Sequence, residues 1–290
     1  MRNILMICLL ALHLPVFGQP GKAIEYRLNF EVGAASFECF VNDMPVEQYF
    51  GEGNGTLNTS TPINDAILKP GTQHWKLVLY PSFRDGKQLA ALPEKIKAVV
   101  RVEGLRKGDG EQVSDVELLH IDGDYPDAAK TTAVYEGSFE AKVPYHLTGW
   151  SQSVNLREED EKALLAELLA AYENYAGCFR KKDVKTLHQL IQQKENEMTK
   201  FFFLDKEEAA AHLSEYSDDF KLDYTVLPIE KYRLRFYGNG KIAALERMDY
   251  PNIGEPVVRY IVKGPKGEET AYMYAYFHRP RAGAKLEMIR

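Results

Sequence analysis

The chain lacks the short motifs that announce common chemistries. It contains no HExxH, GxSxG, GxxxxGK[ST] or CxxC, which removes the usual support for a zinc peptidase, a serine-elbow hydrolase, a P-loop site or a thioredoxin-like redox centre. The nearest glycine pattern, Gly51-Glu52-Gly53-Asn54-Gly55, precedes no helical periodicity and reads as a loop. Cysteine is scarce, with three in 290 residues. Cys8 lies in the first apolar run, and the remaining Cys39 and Cys178 are too few for a disulfide framework, so they are expected to be buried thiols rather than a bridge. Excess positive charge is missing too: 36 Lys and Arg stand against 42 Asp and Glu, for a net charge of -6. That balance argues against nucleic acid or an anionic membrane surface as a partner. After the first twenty residues no apolar run approaches the length of a membrane span, and there is no internal repeat or low-complexity segment.

The beginning, MRNILMICLLALHLPVFGQP, has one positive charge at Arg2, an apolar run from Ile4 to about Phe17 and a small residue at Gly18. This is the pattern of a secretory signal peptide over residues 1–18, with Gln19 opening the mature chain. The expected location is secreted or periplasmic, without membrane insertion after cleavage. Processing leaves roughly 270 residues, enough for two domains of ordinary size.

From Ala23 to about Tyr145 short alternating runs (EYRLNFEV, SFECFV, HWKLVLYP, KIKAVVRVEG, YEGSFEAKV) are separated by turn residues. Period-two alternation with frequent turns predicts an antiparallel β-sandwich or jelly roll over 19–150. Within it, TPINDAILKPGTQHW reads as punctuation: Thr61 caps a helical turn, Pro62 begins it, Pro70-Gly71 turns the chain, and Trp75, Leu77 and Leu79 share the inner face of the next strand.

The grammar changes near Asn155. Asn155 and Glu158 read as a reciprocal cap for a helix carrying Leu164, Leu165, Leu168, Leu169, Tyr172 and Tyr175, with Gly177 as its stop. Further helices are predicted to start at Asp183, with an apolar face of Val184, Leu187, Leu190 and Ile191, and at Asp205, which has Glu208 three residues on. The mixed-charge stretch RKKDVKTLHQLIQQKENEMTK reads as a solvated face over that apolar stripe. Alternation then returns, with a Gly238-Asn239-Gly240 turn, a Gly264-Pro265-Lys266-Gly267 turn and a long strand from about Thr270 to His278. Residues 151–290 therefore read as an α+β domain of three helices and a curved antiparallel sheet.

Two resemblances add to this reading. FECFVNDMPV with PINDAILKPGTQHWKLVLYP resembles the sugar-binding-like jelly-roll domains attached to glycoside hydrolases, over about forty residues. LLAAYENYAGCFRKKDVKTLHQLI is similar to the nuclear-transport-factor-2-like superfamily, and that resemblance implies a cone in which helices pack against a bent sheet. The superfamily holds enzymes and binding domains alike, so it implies no activity.

The candidate ligand site follows from TAYMYAYFH. Alternation puts Tyr272, Tyr274, Tyr276 and His278 on one face, and Tyr260 on the neighbouring strand joins them. The same residues could instead be cross-strand packing partners. His278, Asp249 and Glu246 are the acid and base candidates. HIDGDYPD offers His120, Asp122, Asp124 and Asp127 either to calcium or, as the plainer reading, to a solvated turn. No cofactor is expected. The leading expectation is an exported non-catalytic binding or interaction protein with a carbohydrate or protein partner. Its alternatives are a small-ligand enzyme using the cone and an exported immunity or envelope-maintenance protein.

Overall fold

A computed structural model describes residues 23–126, 128–264 and 267–290. Residues 1–22, on which the expected signal peptide falls, Asp127 and the Pro265-Lys266 pair lie outside the described residues. The fold is α+β, mostly antiparallel sheet with three helices.

Eight strands of the first half form two four-stranded sheets. One has the order β4 (Thr56–Pro62), β1 (Ile24–Gly33), β8 (Lys95–Arg106), β9 (Gln112–Asp124). The other runs β10 (Ala133–Ala141), β5 (Gly71–Pro81), β2 (Ala35–Val41), β3 (Met44–Tyr49), and the short pair β6 (Phe83–Arg84) and β7 (Lys87–Gln88) stands beside them. Side chains of a strand alternate between faces, so every second residue can enter one core. Tyr26, Leu28, Phe30 and Val32 of β1 and Ile96, Ala98, Val100 and Val102 of β8 join Phe37, Cys39 and Val41 of β2 and Trp75, Leu77 and Leu79 of β5 in one buried cluster. Phe30 and Phe37 meet edge to face across it, with centroids 5.5 Å apart. Trp75 is a core residue, and the position opposite it on β10 is Gly137. A Cβ there would come within 2.9 Å of the indole nitrogen, so the glycine makes room for the ring.

The turn inside TPINDAILKPGTQHW begins later than the sequence suggests. Thr61 and Pro62 belong to β4, and the 3-10 turn is Asn64–Ala66. Asn64 explains the shift: its fully buried amide accepts from Tyr26 N at 2.7 Å and donates to Ile24 O at 3.0 Å, tying the turn to β1.

In the second half, α1 (Glu161–Lys181), α2 (Val184–Phe201) and α3 (Lys206–Asp219) precede two small sheets. One has the order β11 (Tyr224–Val226), β14 (Val258–Gly264), β15 (Gly267–Met273); the other runs β12 (Tyr232–Tyr237), β13 (Ile242–Arg247), β16 (Phe277–His278), β17 (Glu287–Met288). Asp183 and Asp205 cap α2 and α3 as predicted, the second in a full capping box with Glu208. Two expectations need correction. Asn155 caps only a 3-10 turn, Leu156–Glu158, because Asp160 takes over as the cap of α1 by accepting from Ala163 N at 2.8 Å. Gly177 lies inside α1, which continues four residues further and ends where Lys182 adopts a left-handed conformation.

The two halves share more than a linker. Strand β2 is buried along its whole length: Phe37 and Cys39 face the first core, while Glu38 and Phe40 face the β12–β13 hairpin. Tyr237, Ile242, Ala244 and Ile289 belong to the first cluster, whereas Tyr172, Tyr175, Phe179, Leu245, Tyr260 and Phe277 belong to the second. Cys39 and Cys178 sit in these separate clusters as free, buried thiols, and burial pushes the Cys39 thiol up to about 12.

Candidate functional site

The predicted tyrosine face is divided by the fold. Strand β15 stops at Met273, and the chain crosses to the other sheet before β16 begins at Phe277, so the long strand is two short ones. Tyr260 is buried among Phe179 and Tyr224, and its hydroxyl donates to Asp219 at 3.1 Å. Tyr272 pairs across the sheet with Arg259. His278 is buried, with Nδ1 2.7 Å from Ser153 Oγ, and burial holds its pKa down at about 4, so its ring is neutral at neutral pH.

Tyr274 and Tyr276 remain together. They line a cleft of roughly 380 Å³ between the two halves, walled by Glu47 and Gln48 of β3, Asp65 of the 3-10 turn, and Lys194, Met198, Phe201 and Phe202 at the C-terminal end of α2, with Arg290 also on its wall. The helix supplies these residues because Lys194, Met198 and Phe201 recur at spacings of four and three, one stripe of an α-helix. Tyr274 is half exposed at 51 %, and Tyr276 packs against the first core, edge to face with Tyr237 at 5.8 Å.

Arg290 is the best-anchored group in this wall. Its Nη1 donates to Glu197 Oε2 at 2.7 Å and its Nε to Asp65 O at 2.9 Å. The rings of Trp150 and Phe201 lie 5.0 and 4.9 Å from the guanidinium carbon. Glu197, itself 3 % exposed, also accepts from Gly149 N at 3.0 Å and from Gln193 at 3.2 Å. The polar face of α2 is therefore not wholly solvated, contrary to its sequence reading, because the C-terminal segment brings a guanidinium onto it.

Burial is the chief perturbation of Asp65, Glu47, Lys194 and Tyr274 in the cleft. Asp65 is pushed up by desolvation against the opposing pull of Arg290 and Lys194, and Glu47 is raised by the same cause. Lys194 is lowered by burial, with the Arg290 charge adding to it and Glu195 and Asp65 opposing. The Tyr274 hydroxyl is pushed up to about 12, first by desolvation and then by Glu255, Glu47 and Glu246.

The acid and base candidates stay apart. Glu246 accepts from the Tyr237 hydroxyl, close to Arg235, whose Nη2 is 2.8 Å from Glu38. Asp249 takes Arg247 Nε at 2.7 Å, and His278 holds Ser153. Asp122 and Asp124 each lie 3.7 Å from a lysine of β8, and no cluster of three or more metal-ligating side chains occurs among the described residues.

A larger groove of about 840 Å³ runs between α1, α2 and β17, and its walls mix glutamine and asparagine amides with apolar side chains that include Tyr175, Leu190, Phe277 and Met288. Of its charged members, Glu167 is paired with Arg279 at 2.7 Å, and Lys285 and Glu287 are exposed. The smaller cleft is the better candidate because four charged groups, the Gln48 amide and four aromatic rings converge there. The tyrosines were legible in the sequence, whereas Glu47, Asp65, Lys194 and Arg290 were not. The one sequence signal for the far wall was the run Phe201-Phe202-Phe203, three aromatics that cannot all face one core from a helix end.

A comparison of the chain with family models, curated proteins and solved structures found no match. No helix among the described residues is long and apolar enough to cross a membrane.

Proposed function

We propose that the chain is an exported, non-catalytic binding protein and that the junction cleft receives a saccharide. On this reading residues 19–150 form a β-sandwich domain and residues 151–290 a cone-like α+β domain, and the ligand sits where they meet. The observation that carries the reading is the convergence of Tyr274, Tyr276, Phe201 and Phe202 with Asp65, Glu47, Lys194 and Arg290 around one cleft of roughly 380 Å³. Aromatic faces take the apolar face of a sugar ring, and charged and amide groups take its hydroxyls. A space of this size fits a ligand of one or two sugar units better than a protein surface.

The non-catalytic part rests on the candidate acids and bases: His278, Glu246 and Asp249 are each committed to separate partners. One observation favours a second reading, a hydrolase, because burial raises both Glu47 and Asp65 in the same cleft. An oligosaccharide panel separates the two. Calorimetric binding that Tyr274→Ala weakens, with no cleavage products by chromatography, is the expected result. Product formation at the cleft would replace binding by hydrolysis, and no binding to any member would overturn the reading.

A further inference from the structure

Two cationic side chains that line the cleft each keep a nitrogen without a hydrogen-bond or ion-pair partner among the described residues. Lys194 lines the cleft, yet among the described residues no carboxylate oxygen lies within 4.0 Å of its ammonium group. Arg290, 6 % exposed, has its Nε and Nη1 taken and its planar faces covered by Trp150 and Phe201, but its Nη2 is buried with no hydrogen-bond partner. Buried donors are nearly always satisfied, and an unsatisfied one on a charged group is costly, so an orphaned guanidinium nitrogen beside an unpaired ammonium calls for an acceptor from outside the chain.

We propose that the saccharide carries a carboxylate, as a uronic acid does, and that Lys194 and Nη2 of Arg290 receive it together. This inference rests on the saccharide-binding reading above. One oxygen of a carboxylate can accept from Nη2, the one guanidinium nitrogen left free, and its second oxygen is then available to a neighbouring ammonium. A single negative charge also fits the balance of the site. Asp65 and Glu47 line the same cleft and Glu197 already faces Arg290, so a doubly charged phosphate would bring two negative charges beside three acids. The fall in the Lys194 pKa agrees with this geometry, since burial and the Arg290 charge disfavour its ammonium form and a ligand anion would oppose both by favouring the charged state. The tyrosines then hold the sugar ring while the cations hold its acid group.

Calorimetric titration of the full chain tests this with glucuronate-containing oligosaccharides and their glucose-containing neutral counterparts. Wild type is expected to bind the acidic member about tenfold or more tighter than the neutral one, the scale of one charge-assisted hydrogen-bond pair. In Lys194→Gln that ratio should fall to about twofold, and Lys194→Arg should restore most of it. A thermal melt of Lys194→Gln matching wild type would establish that the fold is intact. Equal affinity of wild type for acidic and neutral members would overturn the carboxylate and leave saccharide binding standing. A full acidic preference retained in folded Lys194→Gln would overturn the assignment to Lys194, and no binding by either class would overturn both readings.

Discussion

His278 is expected to make the fold sensitive to mild acid, and the size of the effect follows from its burial. The side chain is 4 % exposed, with Nδ1 facing Ser153 Oγ; burial, the largest cause, and the Arg290 charge both oppose its protonation and together outweigh Glu197, which favours it. Its pKa therefore falls from 6.5 to about 4 in the folded chain. Between those values the unfolded chain binds a proton that the folded chain refuses, so the contribution is complete above pH 6.5 and is lost as pH falls towards 4. At 1.36 kcal/mol for each unit of pKa, that loss amounts to roughly 3 kcal/mol. Urea unfolding at pH 7 and pH 4 measures it when wild type is set against His278→Gln, whose amide stays neutral at both. Carboxyl groups titrating elsewhere contribute equally to the two proteins and cancel in the difference. The acid-induced drop should be smaller in the variant by roughly 3 kcal/mol. Equal drops in both proteins would refute the placement of a neutral, desolvated imidazole at this position.

Two further substitutions probe the framework around the cleft. Glu197→Ala leaves the Arg290 guanidinium buried without its carboxylate and Gly149 N without its acceptor, and denaturant titration should show a loss of about 3–5 kcal/mol. Tyr172→Phe removes a hydroxyl that donates to Ala275 O at 2.5 Å and accepts from Leu245 N at 3.1 Å, which leaves two buried backbone groups unsatisfied and should cost roughly 2–4 kcal/mol by the same assay. A loss within about 0.5 kcal/mol of zero, the range of ordinary surface changes, would count against the corresponding network in each case.

What the sequence disclosed depends on how local each cause is. The alternation of β1, β5 and β8 is written in successive residues, and the caps at Asp183 and Asp205 each need only a neighbour three residues away. The misplaced starts had local rivals: Asp160 outcompetes Asn155, and Asn64 is drawn to β1 across 38 residues of chain. Gly177 failed as a stop because the packing of Tyr175, Ala176, Cys178 and Phe179 outweighs the cost of one glycine, about 1 kcal/mol. The site was half legible. Tyrosines at alternate positions announce themselves, but the break after Met273 and the pairing of Glu197 with Arg290, 93 residues apart, come from tertiary contacts that no periodicity records.

Tyr274 is the most exposed ring of the cleft proposed to receive a saccharide. The most direct measurement is the calorimetric affinity of wild type and Tyr274→Ala for the tightest-binding member of the oligosaccharide panel. Loss of one stacking ring predicts a fall in affinity of about tenfold, with the melting temperature unchanged. Undiminished binding by a folded Tyr274→Ala would contradict the account, because the ligand would then be held elsewhere on the protein.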